Sequence, residues 1–162
     1  MSYSIVYSSR TGNTKLLAET IRHTLPADAC VYFGPPSPQA LSAERIYVGF
    51  WTDKGNCDEE TAAFLSTLTT QELFLFGTAG FGGSPAYFAD ILARVKAHLP
   101  AGAVLTGSYM CQGKMPAAVR ERYAAMEDTP RRQAMLDNFD RACSHPDTAD
   151  LDALIAALHT TI

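Results

Sequence analysis

Short apolar runs alternate along this chain with segments whose apolar residues recur at helical spacing. In the first such segment, Leu17, Ile21 and Leu25 are spaced four residues apart, as on one face of a helix. Alternation of this kind is typical of βαβ units around a parallel sheet. The predicted strands are Ser4–Tyr7, Cys30–Phe33, Arg45–Gly49, Leu73–Phe76 and a fifth that begins with Ala103–Thr106.

The helices predicted between these strands differ in length. Only 11 residues separate Phe33 from Arg45, and three of them are proline, so the second helix is limited to about one turn near Gln39–Ala43. The other predicted helices are Lys15–Leu25, Glu59–Leu68, a helix opened by Ser84 and Pro85, and a last helix from Thr148 to His159.

The pattern changes after the fifth strand. Two helical stretches, Pro116–Met126 and a second that begins at Thr129, follow each other with no strand between them. The sequence therefore predicts one α/β domain over residues 1–162, a three-layer α/β/α sandwich on a five-stranded parallel sheet. A helical insertion of about residues 115–143 lies between the fifth strand and the last helix.

Composition narrows the range of functions. The chain has 162 residues, 47% of them hydrophobic, and its 13 basic and 17 acidic residues give a formal net charge of −4. That balance disfavours nucleic-acid binding, which needs a basic stripe. No apolar run reaches 18 residues, and the N-terminus lacks the features of a secretory signal, so we expect no membrane span and a cytoplasmic location.

The four cysteines are Cys30, Cys57, Cys111 and Cys143, and no two of them have C-x-x-C spacing. We therefore expect reduced thiols and no metal site.

The segment after the first strand has the chemistry of a phosphate-binding loop. It reads Ser8-Ser9-Arg10-Thr11-Gly12-Asn13-Thr14 and passes directly into the first helix. Short hydroxyl side chains, a glycine and the free N–H groups of a helix N-terminus can together hold an anion. The loop lacks the lysine of a P-loop and the glycine pattern of a dinucleotide fold. The alternative interpretation is an ordinary capped helix without a ligand.

The spacing Ser9-x-Thr11-Gly12-x-Thr14 resembles the T-x-T-G-x-T loop of the flavodoxin family. The resemblance implies strand order 2-1-3-4-5 and a loop that binds the 5′-phosphate of FMN through residues 9–14. Arg10 departs from the family pattern, since neutral donors are usual there. Its side chain either adds a charged contact to the phosphate or lies in solvent.

Two further loops are predicted to meet the flavin ring at the switch point between the first and third strands. The resemblance places an aromatic residue in the loop after the third strand, where Trp51 is the only tryptophan of the chain. The alternative is that Trp51 packs in the core. The loop after the fourth strand is rich in glycine and lacks the tyrosine that the family commonly has there, which leaves Phe81 as its substitute. The candidate flavin-binding residues of these loops are Trp51, Thr52, Asp53, Lys54, Gly55, Thr78, Ala79, Gly80, Phe81, Gly82 and Gly83.

Two other features bear on redox chemistry. Asp53 and Asp58 predict negative charge beside the flavin, which would oppose its reduction to an anion. The segment Gly107–Met115 resembles the G-x-[FY]-x-C-x-G stretch of a branch of flavodoxin-like proteins, some of which accompany reductases such as bilirubin reductase. Its Cys111 is either redox-active or a small packed residue.

The sequence leaves three functions open. The first is an FMN-dependent electron carrier that serves a partner redox protein, which fits the lack of any recognisable catalytic residues. The second is an NAD(P)H-dependent FMN quinone or azo reductase of related fold. The third is an interaction module of the same fold without flavin. Fold alone does not separate these functions.

Overall fold

A computed structural model of the protein describes all residues from 1 to 162. The six strands are β1 (Tyr3–Tyr7), β2 (Cys30–Gly34), β3 (Arg45–Asp53), β4 (Asn56–Cys57), β5 (Glu72–Ala79) and β6 (Val104–Gln112). The six α-helices are α1 (Asn13–Thr24), α2 (Glu59–Leu65), α3 (Pro85–Lys96), α4 (Ala117–Ala124), α5 (Pro130–Ala142) and α6 (Thr148–His159).

Five of the strands form a parallel sheet in the order β2-β1-β3-β5-β6. This order is the predicted 2-1-3-4-5 arrangement, since β4 is only a two-residue strand that turns back antiparallel to β3. Helices cover both faces of the sheet, so the predicted flavodoxin-like α/β fold is confirmed. The predicted short second helix is also present, as a 3₁₀ segment over Pro38–Ser42.

Two strands are longer than the sequence pattern predicted. The prediction that the third strand ends at Gly49 was wrong, because Phe50 pairs with Gly77 and Trp51 pairs with Thr78 of β5. The segment from Gly107 to Gln112, which lies beyond the residues predicted to begin the fifth strand, is likewise the second part of β6. Both strands continue because β5 supplies hydrogen-bond partners for Phe50, Trp51 and the second part of β6, while Thr52 and Asp53 pair with β4.

The sheet separates two apolar layers. Two glycines of neighbouring strands lie under aromatic rings from the opposite strand. A Cβ on Gly77 would lie 2.3 Å from the Phe50 ring, and a Cβ on Gly49 would lie 2.3 Å from the Phe76 ring. Because both rings are fully buried, β3 and β5 can pack only with glycine at these two positions.

The predicted insertion consists of α4 and α5, which pack against each other beside β6. Phe139 and Leu136 of α5 and Tyr123 of α4 are buried. An exposed ion pair also joins the two helices, with Arg120 Nε 3.0 Å from Asp140 Oδ1. None of the helices combines the length and the apolar composition that crossing a membrane requires.

Candidate functional site

A cleft of about 330 Å³ lies at the carboxyl edge of the sheet, where β1 and β3 are neighbours. In a doubly wound sheet this edge is the usual place for a ligand. Three segments predicted to bind flavin and one segment of the insertion form its walls. The lining residues are Arg10, Thr11, Asn13, Thr14, Trp51, Thr52, Asp53, Lys54, Gly55, Thr78, Ala79, Gly80, Phe81, Tyr87, Lys114, Met115, Pro116, Val119, Arg122 and Tyr123.

The phosphate loop leads into α1 through Gly12, whose positive φ of 88° favours glycine. The side chain of Asn13 holds the loop in place through two hydrogen bonds. Its Nδ2 donates to Thr11 Oγ1 and to the carbonyl oxygen of Lys114, both at 2.8 Å. Asn13 and Thr14 of the first turn of α1 line the cleft, so a helix N-terminus, which is suited to an anion, forms part of its wall.

Thr14 occupies the last place of the loop motif and is almost fully buried. Its hydroxyl donates to the carbonyl oxygen of Phe50 at 3.1 Å and lies 3.0 Å from the hydroxyl of Thr78. Since the single proton of Thr14 goes to Phe50, the Thr78 hydroxyl donates to Thr14. Thr14 thus joins the phosphate loop to β3 and β5 beneath the cleft.

Four of the predicted site residues do not line the cleft. Ser9 and Gly12 line a separate depression on the other side of the phosphate loop, together with Lys15. The Ser9 hydroxyl accepts a hydrogen bond from the backbone N–H of Lys15 at 3.3 Å. Gly82 and Gly83 follow the segment that lines the cleft and do not contribute to its wall.

Trp51 lies at the carboxyl end of β3 and is half-buried on the cleft wall. The Arg10 guanidinium carbon lies 5.5 Å from the centroid of the indole, within the range of a cation–π contact. Arg10, which the sequence placed either on a phosphate or in solvent, is therefore an exposed residue beside the aromatic wall. The turn that follows Trp51 is held from α3, because Arg94 Nη1 donates to the carbonyl oxygen of Gly55 at 3.1 Å.

The glycine-rich segment after β5 is held by two amide side chains. Gln112 Nε2 and Asn138 Nδ2 both donate to the carbonyl oxygen of Gly80, at 3.0 and 3.1 Å. Gln112 also donates to Asn138 Oδ1 at 3.1 Å. A side chain at Gly80 would collide with Met115, 2.6 Å away. The buried Asn138 belongs to α5, so this network ties the insertion directly to the cleft.

The sequence did not identify seven of the lining residues: Tyr87, Lys114, Met115, Pro116, Val119, Arg122 and Tyr123. Tyr87 begins α3, and its pKa is raised because burial disfavours the phenolate. The other six follow β6: Lys114 directly precedes the insertion, and the remaining five belong to it. For the residues of α4, the one signal in the sequence was the spacing of Val119 and Tyr123, which lie on the same face of that helix. That spacing shows an apolar face and does not show what the face covers.

The electrostatic expectation for this site is corrected. Asp53 lines the cleft, but Asp58 is buried and accepts hydrogen bonds from Thr61, where it caps α2. Four cationic side chains line the cleft against that single carboxylate: Arg10, Lys54, Lys114 and Arg122. The cleft is therefore positively charged, whereas the loop sequence had predicted negative charge.

Cys111 lies in β6, below the cleft wall, and is 3% exposed. Burial raises the pKa of its thiol to about 12, so the thiol is protonated at neutral pH. All four cysteines are free. Cys111 therefore has the environment of a small packed residue.

One cluster of metal-ligand type lies outside the cleft and has a structural explanation. His145 Nδ1 lies 2.6 Å from Asp150 Oδ2, and the same carboxylate oxygen accepts from the backbone N–H of Asp147. Asp147 and Asp150 form the capping box at the start of α6. The cluster is thus a helix N-terminus with a histidine beside it.

Comparison with known proteins agrees with this architecture. A curated relative from Clostridium symbiosum (strain WAL-14163), the flavodoxin-like domain-containing protein BilS, is 43% identical over 94% of this chain and 92% of its own length. A short-chain flavodoxin associated with a bacterial microcompartment has a similar structure, with a TM-score of 0.55 and 19% identity over 88% of this chain and 95% of that chain.

A flavoprotein in complex with FMN, from Lactobacillus acidophilus NCFM, superposes with a TM-score of 0.53 and 13% identity over 68% of this chain and 93% of that chain. The flavodoxin domain model matches residues 4–159, which is nearly the whole chain. This protein therefore belongs to the flavodoxin domain family.

Proposed function

We propose that the protein binds FMN non-covalently in the cleft and passes electrons between the flavin and a partner redox protein in the cytoplasm. The flavin, when bound, supplies the electron-accepting ring. The chain supplies the binding groups, the orientation of the ring and the local charge.

One observation carries the proposal: a helix N-terminus suited to a phosphate and an aromatic wall suited to a flat ring face the same cleft. Thr11, Asn13 and the first turn of α1 would hold the phosphate. Trp51 would lie against the ring, and the segment Thr78–Phe81 would meet its polar edge. Family membership and the FMN complex of a structural neighbour agree with this assignment.

The test is a titration of flavin-free protein with FMN, followed by the fluorescence of Trp51. Because Trp51 is the only tryptophan, quenching at one equivalent of FMN reports a flavin beside it. Riboflavin is the matched ligand control, since it lacks only the phosphate, and we expect it to bind at least tenfold more weakly. Equal affinity for the two ligands would remove the phosphate loop from the site.

A second candidate function is an NAD(P)H-dependent flavin reductase. The observation that favours it is the wall formed by Val119 and Tyr123 of α4, which gives the cleft a side that could enclose a small substrate. Anaerobic addition of NADH or NADPH to the FMN-loaded protein separates the two functions. A carrier keeps its yellow colour until a partner reductase is added, whereas a reductase is bleached by the nucleotide alone.

A further inference from the structure

The positive charge of the cleft differs in sign from the charge of the whole molecule. The chain has a formal net charge of −4, yet four cations and one carboxylate line the cleft. None of the four cations forms an ion pair within the protein. Their charge is therefore available to a ligand.

Half of this charge comes from the segment after β6, where Lys114 directly precedes the insertion and Arg122 belongs to it. Lys114 is held next to the phosphate loop, because its carbonyl oxygen accepts from Asn13 and the neighbouring Gly113 donates to the Ala79 carbonyl at 2.9 Å. Arg122 is adjacent to Tyr123, which is buried and lines the cleft. Both cations are thus fixed at their backbones while their side chains remain exposed.

We propose that the cationic residues of the cleft, in particular Lys114 after β6 and Arg122 of α4, make the protein bind two-electron-reduced FMN more tightly than oxidised FMN. This inference rests on the proposed function. Uptake of two electrons and one proton converts the neutral ring into an anion, while the phosphate keeps its charge. Only the ring charge differs between the two states, so cations near the ring stabilise the reduced state selectively.

The consequence is a reduction potential of bound FMN above that of free FMN. Each exposed cation within a few ångströms of the ring should favour the reduced form by roughly three- to tenfold in affinity, because solvent screens part of its charge. The single carboxylate of Asp53 acts in the opposite direction.

The experiment measures a ratio: the dissociation constant for oxidised FMN divided by the dissociation constant for reduced FMN. The constant for oxidised FMN comes from Trp51 quenching. An anaerobic titration against an electrode with mediators gives the two-electron potentials of free and bound FMN. The difference between these potentials, combined with the constant for oxidised FMN in a thermodynamic cycle of binding and reduction, yields the constant for reduced FMN. We expect reduced FMN to bind at least tenfold more tightly in the unaltered protein.

Two variants test the assignment of the effect. Lys114→Gln and Arg122→Gln should each lower the ratio by roughly three- to tenfold, since each removes one charge and keeps most of the side chain. Asp53→Asn should raise the ratio. Arg131→Gln is the matched control, because it removes an exposed charge from α5 outside the cleft, and its ratio should equal that of the unaltered protein.

Arg120→Gln is a structural control, since it breaks the ion pair with Asp140 that joins α4 to α5. Equal binding of both redox states by the unaltered protein would overturn the inference and leave FMN binding in place. An unchanged ratio in Lys114→Gln and Arg122→Gln, or an equal drop in Arg131→Gln, would also overturn it. No FMN binding in either state would overturn the proposed function together with the inference.

Discussion

Thr14 shows how one residue of a ligand-binding motif can serve the fold itself. Its buried hydroxyl bonds to Phe50 and Thr78, so it connects three neighbouring elements under the cleft. Thr11, by contrast, is only half-buried and lines the cleft, and its hydroxyl donates weakly to the Lys114 carbonyl at 3.4 Å and accepts from Asn13 at 2.8 Å. The two threonines of the motif therefore have different roles.

We predict that Thr14→Val lowers the free energy of unfolding of the flavin-free protein by about 1–3 kcal/mol, because it leaves the buried Thr78 hydroxyl without its acceptor. Urea denaturation followed by circular dichroism measures this loss. Thr11→Val is the matched control and should have a much smaller effect on stability. A similar loss of stability in both variants would contradict the distinction.

The cysteines give a second prediction at this scale. Burial raises the thiol pKa of Cys111 to about 12 and that of Cys57 to about 11, and a raised pKa keeps the unreactive protonated form at all lower pH values. At pH 8 a thiol reagent should therefore label the exposed Cys143 quickly in the native protein. Cys57 and Cys111 should react only after unfolding, as peptide mass spectrometry can show. Labelling of native Cys111 at the rate of Cys143 would restore its redox interpretation.

At the scale of elements, the sequence predicted the strand–helix order well and the strand ends poorly. Periodicity identified α1, α3 and α6 because each buries one apolar face. The ends of β3 and β6 escaped because apolar, polar and glycine residues are mixed there, and pairing with β5, or with β4 for Thr52 and Asp53, makes them strand. Local sequence does not contain that partner.

Dependence on partners distant in sequence also separates the parts of the site that could be predicted from those that could not. Thr11 and Asn13 follow β1 and Trp51 lies near the end of β3, and because the carboxyl ends of these strands must meet, their common location follows from topology. Arg122 and Tyr123 reach the cleft only because α4 lies beside it, and Lys114 lies there because β6 ends next to the carboxyl end of β5. The Asn138 amide that anchors the insertion to Gly80 is a contact over 58 residues of sequence.

This anchor yields a prediction about the insertion. Asn138→Leu removes hydrogen bonds to Gly80 and Gln112 and should destabilise the protein by about 1–3 kcal/mol. It should also speed amide hydrogen exchange over residues 113–143 more than elsewhere, because the contact between insertion and sheet is the one weakened. Gln133→Leu, an exposed change on the same helix, is the control. Uniformly faster exchange over the whole chain would show that Asn138 supports the fold in general.

At the scale of the molecule, the fold is one sheet with its ligand edge partly covered by the insertion. The sheet order followed from the resemblance of a short loop near the N-terminus to one family, and the observed strand order confirms it. The sign of the charge at that edge did not follow, because Asp58 is buried as a helix cap while cations distant in sequence gather there. Net charge is a property of composition, but its distribution is a property of the fold.

That distribution leaves a locally positive field at the mouth of the cleft of a molecule whose formal net charge is −4. Such a field draws a small dianion toward the mouth before any contact forms, and dissolved ions weaken the field within a Debye length of about 10 Å at 0.1 M salt. In stopped-flow mixing, the rate constant for FMN association should therefore fall several-fold between 10 mM and 500 mM KCl, while that for uncharged riboflavin should stay nearly constant. An FMN association rate independent of salt would mean that the mouth exerts no long-range attraction on its ligand.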